Sequence, residues 1–343
     1  MKKLLVPASY IYHAGIKIDR LVTRQHTLGK PVISVGNITW GGTGKTPTVI
    51  ALARFFAEHD RKAVVLTRGY RRKQRAMLVV SNGSGMMAEP EQAGDEPFLI
   101  ARECPEAVVI AGADRYAAGT EAQKRFNPDV FILDDGFQHW RLARDLDVVC
   151  INATDPFGNG CLIPAGTLRE CPEALHRAGI ILLTNADQVD TENVARIEEE
   201  IRRYTHVPIC KTCYALEGIR RIYDGSVLPA DELKGREVTV VSALGNAAGF
   251  LRSVEATGME IVGQKTFRDH HWYSAEDVKK MRSTEKTLFV TTAKDAVKLK
   301  SLLQVLARDA SENEFIGRWY EINSGMSFMS GENAWQEKIK LFL

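Results

Sequence analysis

The chain has 343 residues, of which 45% are hydrophobic and 26% are charged. A chain of this length can bury a sizeable core, and it predicts two domains or one large domain with an added lobe. The formal net charge of +2 argues against nucleic-acid binding through bulk charge, and no apolar run approaches the ~20 residues of a membrane span. Six cysteines do not make a disulfide scaffold, and at the lone C-x-x-C of Cys210 and Cys213 reduced thiols are favoured over zinc.

The first 30 residues combine apolar side chains with lysines and arginines. Lys2, Lys3 and the short apolar stretch after them resemble a weak signal peptide, but Pro7 interrupts the apolar centre and no convincing cleavage site follows. Two interpretations stay open for this segment. Either it lies on a membrane surface with its basic residues at anionic headgroups, or it forms a helix that packs on the protein's own core.

A glycine-rich turn between a strand and a helix is the strongest local pattern. Residues 32–35 indicate a buried β-branched strand, and an apolar helical pattern follows Pro47. Glycines allow backbone N–H groups to surround phosphate oxygens, and the helix N-terminus favours an anion. The predicted nucleotide-phosphate ligands are Thr39, Trp40, Gly41, Gly42, Thr43, Gly44, Lys45 and Thr46. Lys45 is expected to reach the β- and γ-phosphates and Thr46 to bind Mg²⁺, although Thr39 stands where the strict motif has glycine.

Two pairs of carboxylates are candidates for metal binding and for proton transfer. Asp134 and Asp135 follow an apolar run, which matches a Walker B strand whose carboxylate holds Mg²⁺ directly or through water. Asp95 and Glu96 open a short apolar helix. They are interpreted either as helix capping or as an acid pair near the triphosphate, one acting on a hydroxyl and the other on the metal.

Basic residues and one histidine complete the candidates. The segment 68–75 carries five Arg or Lys at a predicted strand end, where ligands collect in an open α/β sheet, or it is a solvated charge run. Arg115 is either a surface residue or a phosphate ligand. His270 lies in a run of aromatic and charged residues, and it either faces a cleft or has a structural role.

Short apolar strands alternate with helical patterns along most of the chain, which predicts an α/β fold. We expect a P-loop NTPase-like, mostly parallel sheet with helices on both faces, plus a smaller C-terminal α/β lobe. The predicted organisation is an N-terminal membrane-surface segment over 1–30, a P-loop core over 31–205 and a lobe over 206–343 that closes over the site.

Taken together, these motifs resemble the tetraacyldisaccharide 4'-kinase (lipid A 4'-kinase) family. They occur in the family's order along nearly the whole chain: Gly41-Gly42-Thr43-Gly44-Lys45-Thr46, Arg68-Gly69-Tyr70, Gly94-Asp95-Glu96-Pro97, Asp134-Asp135-Gly136-Phe137-Gln138-His139, Gly166-Thr167-Leu168-Arg169-Glu170, Phe267-Arg268-Asp269-His270-His271 and Thr291-Thr292-Ala293-Lys294-Asp295. A P-loop alone is generic, but its combination with the run at 134–139 is specific. Two departures are Asn185, where the family has lysine, and Cys171 between Glu170 and Pro172.

The resemblance implies transfer of the γ-phosphate of ATP, with Mg²⁺, to the 4'-hydroxyl of an acylated glucosamine disaccharide 1-phosphate in lipid A biosynthesis. It implies a peripheral or monotopic enzyme at the cytoplasmic face of a Gram-negative inner membrane, with no required protein partner. By resemblance Asp95 is the base and His270 orients it, while Lys45 holds the phosphates. The expected metal ligands are Thr46, Asp134, Asp135 and Glu96. The candidates for binding the γ-phosphate or the substrate's 1-phosphate are Arg68, Arg115 and Arg169. The alternative is a membrane-associated P-loop ATPase or GTPase switch acting on a protein partner.

Overall fold

The computed structural model describes residues 2–69, 72, 76–229, 231–244, 247–281, 287–309 and 312–343. Its helices in chain order are α1 (Lys2–Val22), α2 (Lys45–Glu58), α3 (Pro90–Ala93), α4 (Asp95–Glu103), α5 (Arg115–Phe126), α6 (Thr191–Arg202), α7 (Ala247–Ala256), α8 (Ala275–Lys280), α9 (Ala293–Leu306), α10 (Asn313–Ile316) and α11 (Glu332–Lys340). Its strands are β1 (Val32–Gly36), β2 (Ala63–Thr67), β3 (Leu78–Asn82), β4 (Val108–Ala111), β5 (Val130–Asp134), β6 (Leu146–Asn152), β7 (Ile180–Thr184), β8 (Ile209–Arg221), β9 (Val227–Leu228), β10 (Glu237–Ser242), β11 (Glu260–Thr266), β12 (Leu288–Thr292) and β13 (Trp319–Ser330).

The chain forms two compact units. The first contains the residues up to Cys213 together with Met326–Leu343, and the second is Tyr214–Gly325. The predicted lobe spans residues 206–343, whereas α11 belongs to the first unit. The physical reason is burial, because Trp335 and Ile339 of α11 pack into the apolar core of the first unit.

The first unit is built on a mostly parallel sheet in the order β8-β7-β6-β1-β5-β2-β4-β3. From β7 with β8 to β2 with β4, the described neighbours in this order pair in parallel, and β3 runs antiparallel to β4. Strand β1 lies between β5 and β6. The carboxyl ends of β1, β5 and β2 therefore meet at one edge of the sheet, which is where ligands bind in open α/β sheets.

Helices cover both faces of this sheet, as the alternation of buried residues shows. Ile33 and Val65 pack in one core cluster with Leu52 of α2. Their sequence neighbours Val32 and Val64 pack in a second cluster that includes Ala118 and Ala122 of α5. Successive side chains of a strand point to opposite faces, so α2 and α5 lie on opposite sides of the sheet. The predicted α/β architecture is confirmed.

The second unit has its own core and a run of parallel strands. The strand order is β11-β10-β12-β13, with the short β9 antiparallel to β8. The rings of Phe289 and Trp319 stack with centroids 4.6 Å apart. Asp295 and Lys298 form a fully buried ion pair at 2.7 Å, and Asp295 Oδ2 also accepts a hydrogen bond from Ala243 N at 2.9 Å. This pair thereby fixes the start of α9 to the end of β10.

Helix α1 packs through one face and exposes an apolar stripe on another. Ser9 Oγ donates to Leu162 O at 2.8 Å and accepts from Ala165 N at 3.2 Å. At about 100° per residue, the stripe falls within an arc of about 120°. Its members are Tyr10, Ile11, Ile18, Leu21 and Val22, which are 71%, 74%, 59%, 83% and 73% exposed. Within the described part of the chain, no helix has both the length and the apolar character needed to cross a membrane.

Candidate active site

The glycine-rich loop joins β1 to α2 as predicted from the sequence. Gly44 precedes the first turn of α2 with a φ of 82°, and Gly41 has a φ of 127°, so both need the conformational freedom of glycine. Side chains built at Gly41 and Gly42 would meet open space. The backbone N–H groups here and at the start of α2, where Thr46 lies half-buried, can therefore surround an anion.

Hydrogen bonds from distant segments hold this loop in place. Asn37 Nδ2 donates to Thr43 Oγ1 at 2.7 Å, and Thr184 Oγ1 at the end of β7 donates to Thr43 O at 3.2 Å. Trp40 N donates to Thr167 O at 2.6 Å, while the Trp40 ring is 62% exposed. The loop conformation is thus fixed both by its neighbour Asn37 and by Thr167 and Thr184, which lie more than a hundred positions away in the sequence.

Asp134 is a buried carboxylic acid at the end of β5. It is 5% exposed, and Thr67 Oγ1 at the end of β2 donates to its Oδ2 at 2.8 Å. Burial raises the pKa of Asp134 to about 6, and the charges of Glu96 and Asp135 add to the rise. The carboxylate is therefore held in a site that favours a nearby positive charge.

Asp135 is surrounded by cations. Lys45 Nζ lies 3.6 Å from its Oδ1, and Arg169 Nη1 donates to Oδ1 at 2.7 Å and to Oδ2 at 2.9 Å. Burial pushes the pKa of Asp135 upward, but Lys45 and Arg169 outweigh burial and hold it below its usual value. The residue has a φ of 52°, and a side chain at Gly136 would collide with Leu133. The tight turn thus directs one carboxylate of this pair toward the loop lysine.

Two further arginines, Arg115 and Arg68, belong to the surroundings of Asp134 and Asp135. Arg115 begins α5, is 7% exposed, and donates from Nη1 to Ala113 O at 2.9 Å. Burial lowers its pKa, while Asp135 and Asp134 act in the opposite direction and Arg68 adds to the lowering. Arg68 itself is exposed after the end of β2. Arg115 is therefore a buried cation rather than a surface residue; the rest of the predicted basic cluster lies outside the described residues except for Arg72.

Asp95 and Glu96 are the first two residues of α4. Gly94 precedes them with a φ of 88°, and Asp95 is 5% exposed. Asp95 Oδ1 accepts a hydrogen bond from Glu96 N at 3.0 Å. Because the charge of Glu96 raises the pKa of Asp134, Glu96 belongs to the same electrostatic cluster as the end of β5.

His270 belongs to the second unit, in the loop after β11. It has a φ of 61°, and its Nε2 lies 3.8 Å from Asp269 Oδ2. Lys294 Nζ, at the start of α9, lies 3.7 Å from the other Asp269 oxygen. The pairing of His270 with Asp95 stays a prediction.

Sequence reasoning assigned no role to three residues that support this site. Gln138 Nε2 donates to Asn37 O and to Glu170 Oε1, both at 2.8 Å. Glu170 is in turn paired with Arg177 through two hydrogen bonds of 3.0 and 2.8 Å. The proximity of Gln138 to Asp135 and of Glu170 to Arg169 in the sequence is a signal, but only the folded chain joins these residues and Arg177 into one network.

The two cysteines of the C-x-x-C motif belong to no group of three or more potential metal ligands among the described residues. Cys210 and Cys213 are both free thiols on β8, and Cys210 Sγ donates to Gly331 O at 3.1 Å. Burial raises the pKa of Cys210 to about 11 and also raises that of Cys213. The raised pKa values favour the protonated thiols at both positions.

The chain matches the model of the family described as tetraacyldisaccharide-1-P 4'-kinase over residues 1–341. It is 36% identical over 313 residues to a tetraacyldisaccharide 4'-kinase of Geobacter metallireducens, covering 88% of this chain and 90% of that protein. It is 40% identical over 310 residues to a protein of the same name from Halothermothrix orenii, covering 84% and 80%.

The fold is similar to a solved structure of LpxK from Aquifex aeolicus in complex with ATP. The TM-score is 0.77 at 31% sequence identity, and the match covers 99% of this chain and 98% of that chain. The similarity therefore extends over both compact units rather than over the phosphate loop alone.

Proposed function

The chain belongs to the tetraacyldisaccharide-1-P 4'-kinase family, and we propose that it transfers the γ-phosphate of ATP to the 4'-hydroxyl of a tetraacyldisaccharide 1-phosphate in lipid A biosynthesis. One observation carries the proposal. Lys45 of the phosphate loop and Arg169 from a distant segment meet on the same carboxylate, Asp135. Phosphoryl transfer is catalysed mainly by positioned cations, and this arrangement holds two of them at the loop.

Mg²⁺ fits the chemistry of the acid cluster. Among the residues that the structure describes, no three His, Cys, Asp or Glu side chains gather into a complete metal site. Mg²⁺ in nucleotide sites takes one or two carboxylates, with phosphates and water completing its octahedron, so Asp134 and Asp135 suffice. Thr46 and Glu96 are further candidates. The ion, when bound, neutralises negative charge on the transferring phosphate.

Other residues are proposed to bind the phosphates and to stabilise the charge on the transferring group. The loop amides and Lys45 hold the β- and γ-phosphates, and Arg169 and the buried Arg115 stabilise the charge that spreads over the transferring group. Arg68 is a candidate for the substrate's 1-phosphate. Each of these cations is supported by its place at the carboxyl edge of the sheet, beside the loop.

Asp95 is the proposed general base. A sugar hydroxyl is too weak an acid to be ionised at neutral pH, so a positioned carboxylate must accept its proton as the new bond forms. Asp95 is buried at the start of α4, next to Glu96, whose charge acts on Asp134. His270 is proposed to orient this carboxylate.

The acceptor is proposed to reach the site from a lipid surface on which α1 lies. The exposed apolar stripe of α1 suits the interface of a bilayer, and an inner membrane facing the cytoplasm would supply both ATP and an acylated substrate. An open pocket of about 330 Å³ reaches α1 at Asp19, and its other lining residues include the polar side chains of Asp114 and His139. Its polarity suits a sugar head group whose acyl chains stay in the bilayer.

Label transfer from γ-labelled ATP tests this function. The acceptors compared are the tetraacylated disaccharide 1-phosphate, the same disaccharide without acyl chains, and water alone. We expect rapid labelling of the acylated acceptor at the 4'-position and slow release of phosphate to water. Labelling of none of these acceptors, with nucleotide hydrolysis stimulated only by a protein partner, would support the switch alternative instead.

A further inference from the structure

The buried Trp140 ring is the centre of a stack of arginines in the first unit. The guanidinium carbon of Arg177 lies 4.7 Å from the centroid of the Trp140 ring, and that of Arg20 lies 5.3 Å from it. A third, Arg144, lies at 5.9 Å. These distances are all within about 6 Å, the range of a cation–π interaction. Arg20 belongs to α1, so the stack joins that helix to the segment that follows Asp134 and Asp135.

Arg177 extends this stack toward the active site. Its guanidinium also lies 4.1 Å from the centroid of the Phe137 ring, two residues from Asp135. Its two terminal nitrogens donate to the two oxygens of Glu170 at 3.0 and 2.8 Å. Only 11% of the Arg177 side chain and 7% of the Glu170 side chain are exposed. A planar guanidinium can stack and bind a carboxylate at two points at once, which lysine cannot do.

Glu170 orients Gln138, and Gln138 in turn contacts two different parts of the site. Glu170 Oε1 accepts from Gln138 Nε2, which also donates to Asn37 O. The Asn37 side chain holds Thr43 in the phosphate loop. On the other branch, Gln138 Oε1 lies 3.4 Å from Arg169 Nη1, the nitrogen that binds Asp135. Both branches therefore end on groups that hold phosphate.

We propose that Arg177 is a positioning residue for Arg169 and the phosphate loop. Because Trp140 contacts both Arg20 of α1 and Arg177, the position of α1 then affects the position of the Arg177 guanidinium. The inference rests on the proposed function, since it concerns the rate of phosphate transfer. Arg177 touches no reacting atom in this account and acts only through Glu170 and Gln138. Because α1 also carries the exposed apolar stripe, its placement on a lipid surface is thereby linked to the geometry around Asp135.

Arg177→Lys tests the first part, with Arg144→Lys as the matched control. Arg144 is equally buried, pairs with Asp147 at 2.8 Å and touches the same ring, but its partner does not lead to Arg169. We expect Arg177→Lys to lower kcat about 10-fold or more, the usual effect of removing a group that orients a ligand. Arg144→Lys should shift the melting temperature by a comparable amount and change kcat by less than about 2-fold.

Two outcomes would overturn this assignment. One is an equal loss of kcat in both variants, which would indicate a general structural effect. The other is unchanged kcat in Arg177→Lys. If the unmodified protein transferred no phosphate to the acylated acceptor, the proposed function itself would be contradicted. Failure of the proposed function is therefore distinguishable from failure of the role assigned to Arg177.

A double-mutant cycle tests the connection to α1. Arg20→Gln should lower kcat about 3-fold in the unmodified protein and have no effect in a Trp140→Leu background, because the stack is already lost there. Lys17→Gln, on the same helix but outside the stack, should have the same effect in both backgrounds. If Trp140→Leu fails to fold, Arg177→Lys serves as the second background. Equal effects of Arg20→Gln in both backgrounds would contradict the connection.

Discussion

Arg169 Nη1 lies 2.7 and 2.9 Å from the two carboxylate oxygens of Asp135, and Lys45 Nζ lies 3.6 Å from one of them. A single carboxylate therefore sets the spacing of two cations that come from different parts of the chain. Cations held in this way need little rearrangement when negative charge develops on a transferring phosphate. The first two predictions follow from this arrangement.

Arg169→Lys keeps the positive charge but loses the planar guanidinium. A lysine ammonium at this position cannot hold both Asp135 and Gln138 in the same geometry. We expect kcat/KM for ATP to fall about 10- to 100-fold, measured as label transfer to the acylated acceptor. The melting temperature should change by no more than a few degrees. Full activity in this variant would show that charge alone is sufficient.

Lys45→Met removes the loop cation and keeps a side chain of similar length. Its largest effect should be on transfer, because the ammonium is the loop group that neutralises the phosphates. We expect kcat to fall about 100- to 1,000-fold. Loss of Lys45 should also raise the pKa of Asp135, because Lys45 is the largest influence lowering it. Retention of the full rate would remove Lys45 from the mechanism.

Asp134 gives a prediction about pH. Its pKa is raised from 3.8 to about 6 on folding, so the folded state holds this proton more tightly than the unfolded state does. Stability from this group is therefore present below about pH 4 and is lost as the pH rises to about 6. In metal-free buffer, Asp134→Asn should be more stable than the unmodified protein at pH 8, by on the order of 1–3 kcal/mol, and not at pH 4.

Asp135→Asn is the control, because it should change the free energy of unfolding in the direction opposite to Asp134→Asn. The pKa of Asp135 is lowered on folding, so its contribution to stability is present above the unfolded pKa and is lost as the pH falls. This variant should be destabilised at pH 8. Melting curves of the three proteins in the presence of a chelator measure both effects. A stabilising Asp135→Asn, or a destabilising Asp134→Asn, at pH 8 would contradict the charge arrangement.

Ile18→Glu tests the role of the exposed stripe on α1. Ile18 is 59% exposed, so a glutamate there costs little folding energy but disfavours burial in a lipid interface. We expect binding to vesicles with anionic lipid to weaken about 10-fold or more in a sedimentation assay. Val262→Glu is the matched control, because Val262 is 52% exposed on β11 of the second unit. Equal binding by the two variants would exclude α1 as the lipid contact.

Local signals in the sequence were sufficient for much of the fold. The strand, glycine turn and helix around Lys45 and the apolar run ending in Asp134 are both contiguous, so spacing alone revealed them. The antiparallel strand β3 and the return of α11 to the first unit were not predicted. Each depends on pairing or burial against residues far away in the chain, which no local pattern encodes.

The same distinction holds at the site. The residue types were predictable, but their partners were not. Arg169 and Asp135 are separated by 34 positions, and Thr67 and Asp134 by 67. The convergence of parallel strands at their carboxyl ends explains why these pairs meet. Arg177 carries no signal in the sequence, because an arginine in the last position of a short helical turn is ordinary until Glu170 and Trp140 are seen beside it.

The most direct test of the central claim is the rate of a single turnover by Asp95→Asn. Asparagine keeps the size of the side chain and removes its ability to accept the proton of the 4'-hydroxyl. We predict that label transfer from γ-labelled ATP to the tetraacylated disaccharide 1-phosphate slows by about 10²- to 10⁴-fold, while ATP binds with unchanged affinity. Transfer at the unmodified rate would contradict the assignment of Asp95 as the base.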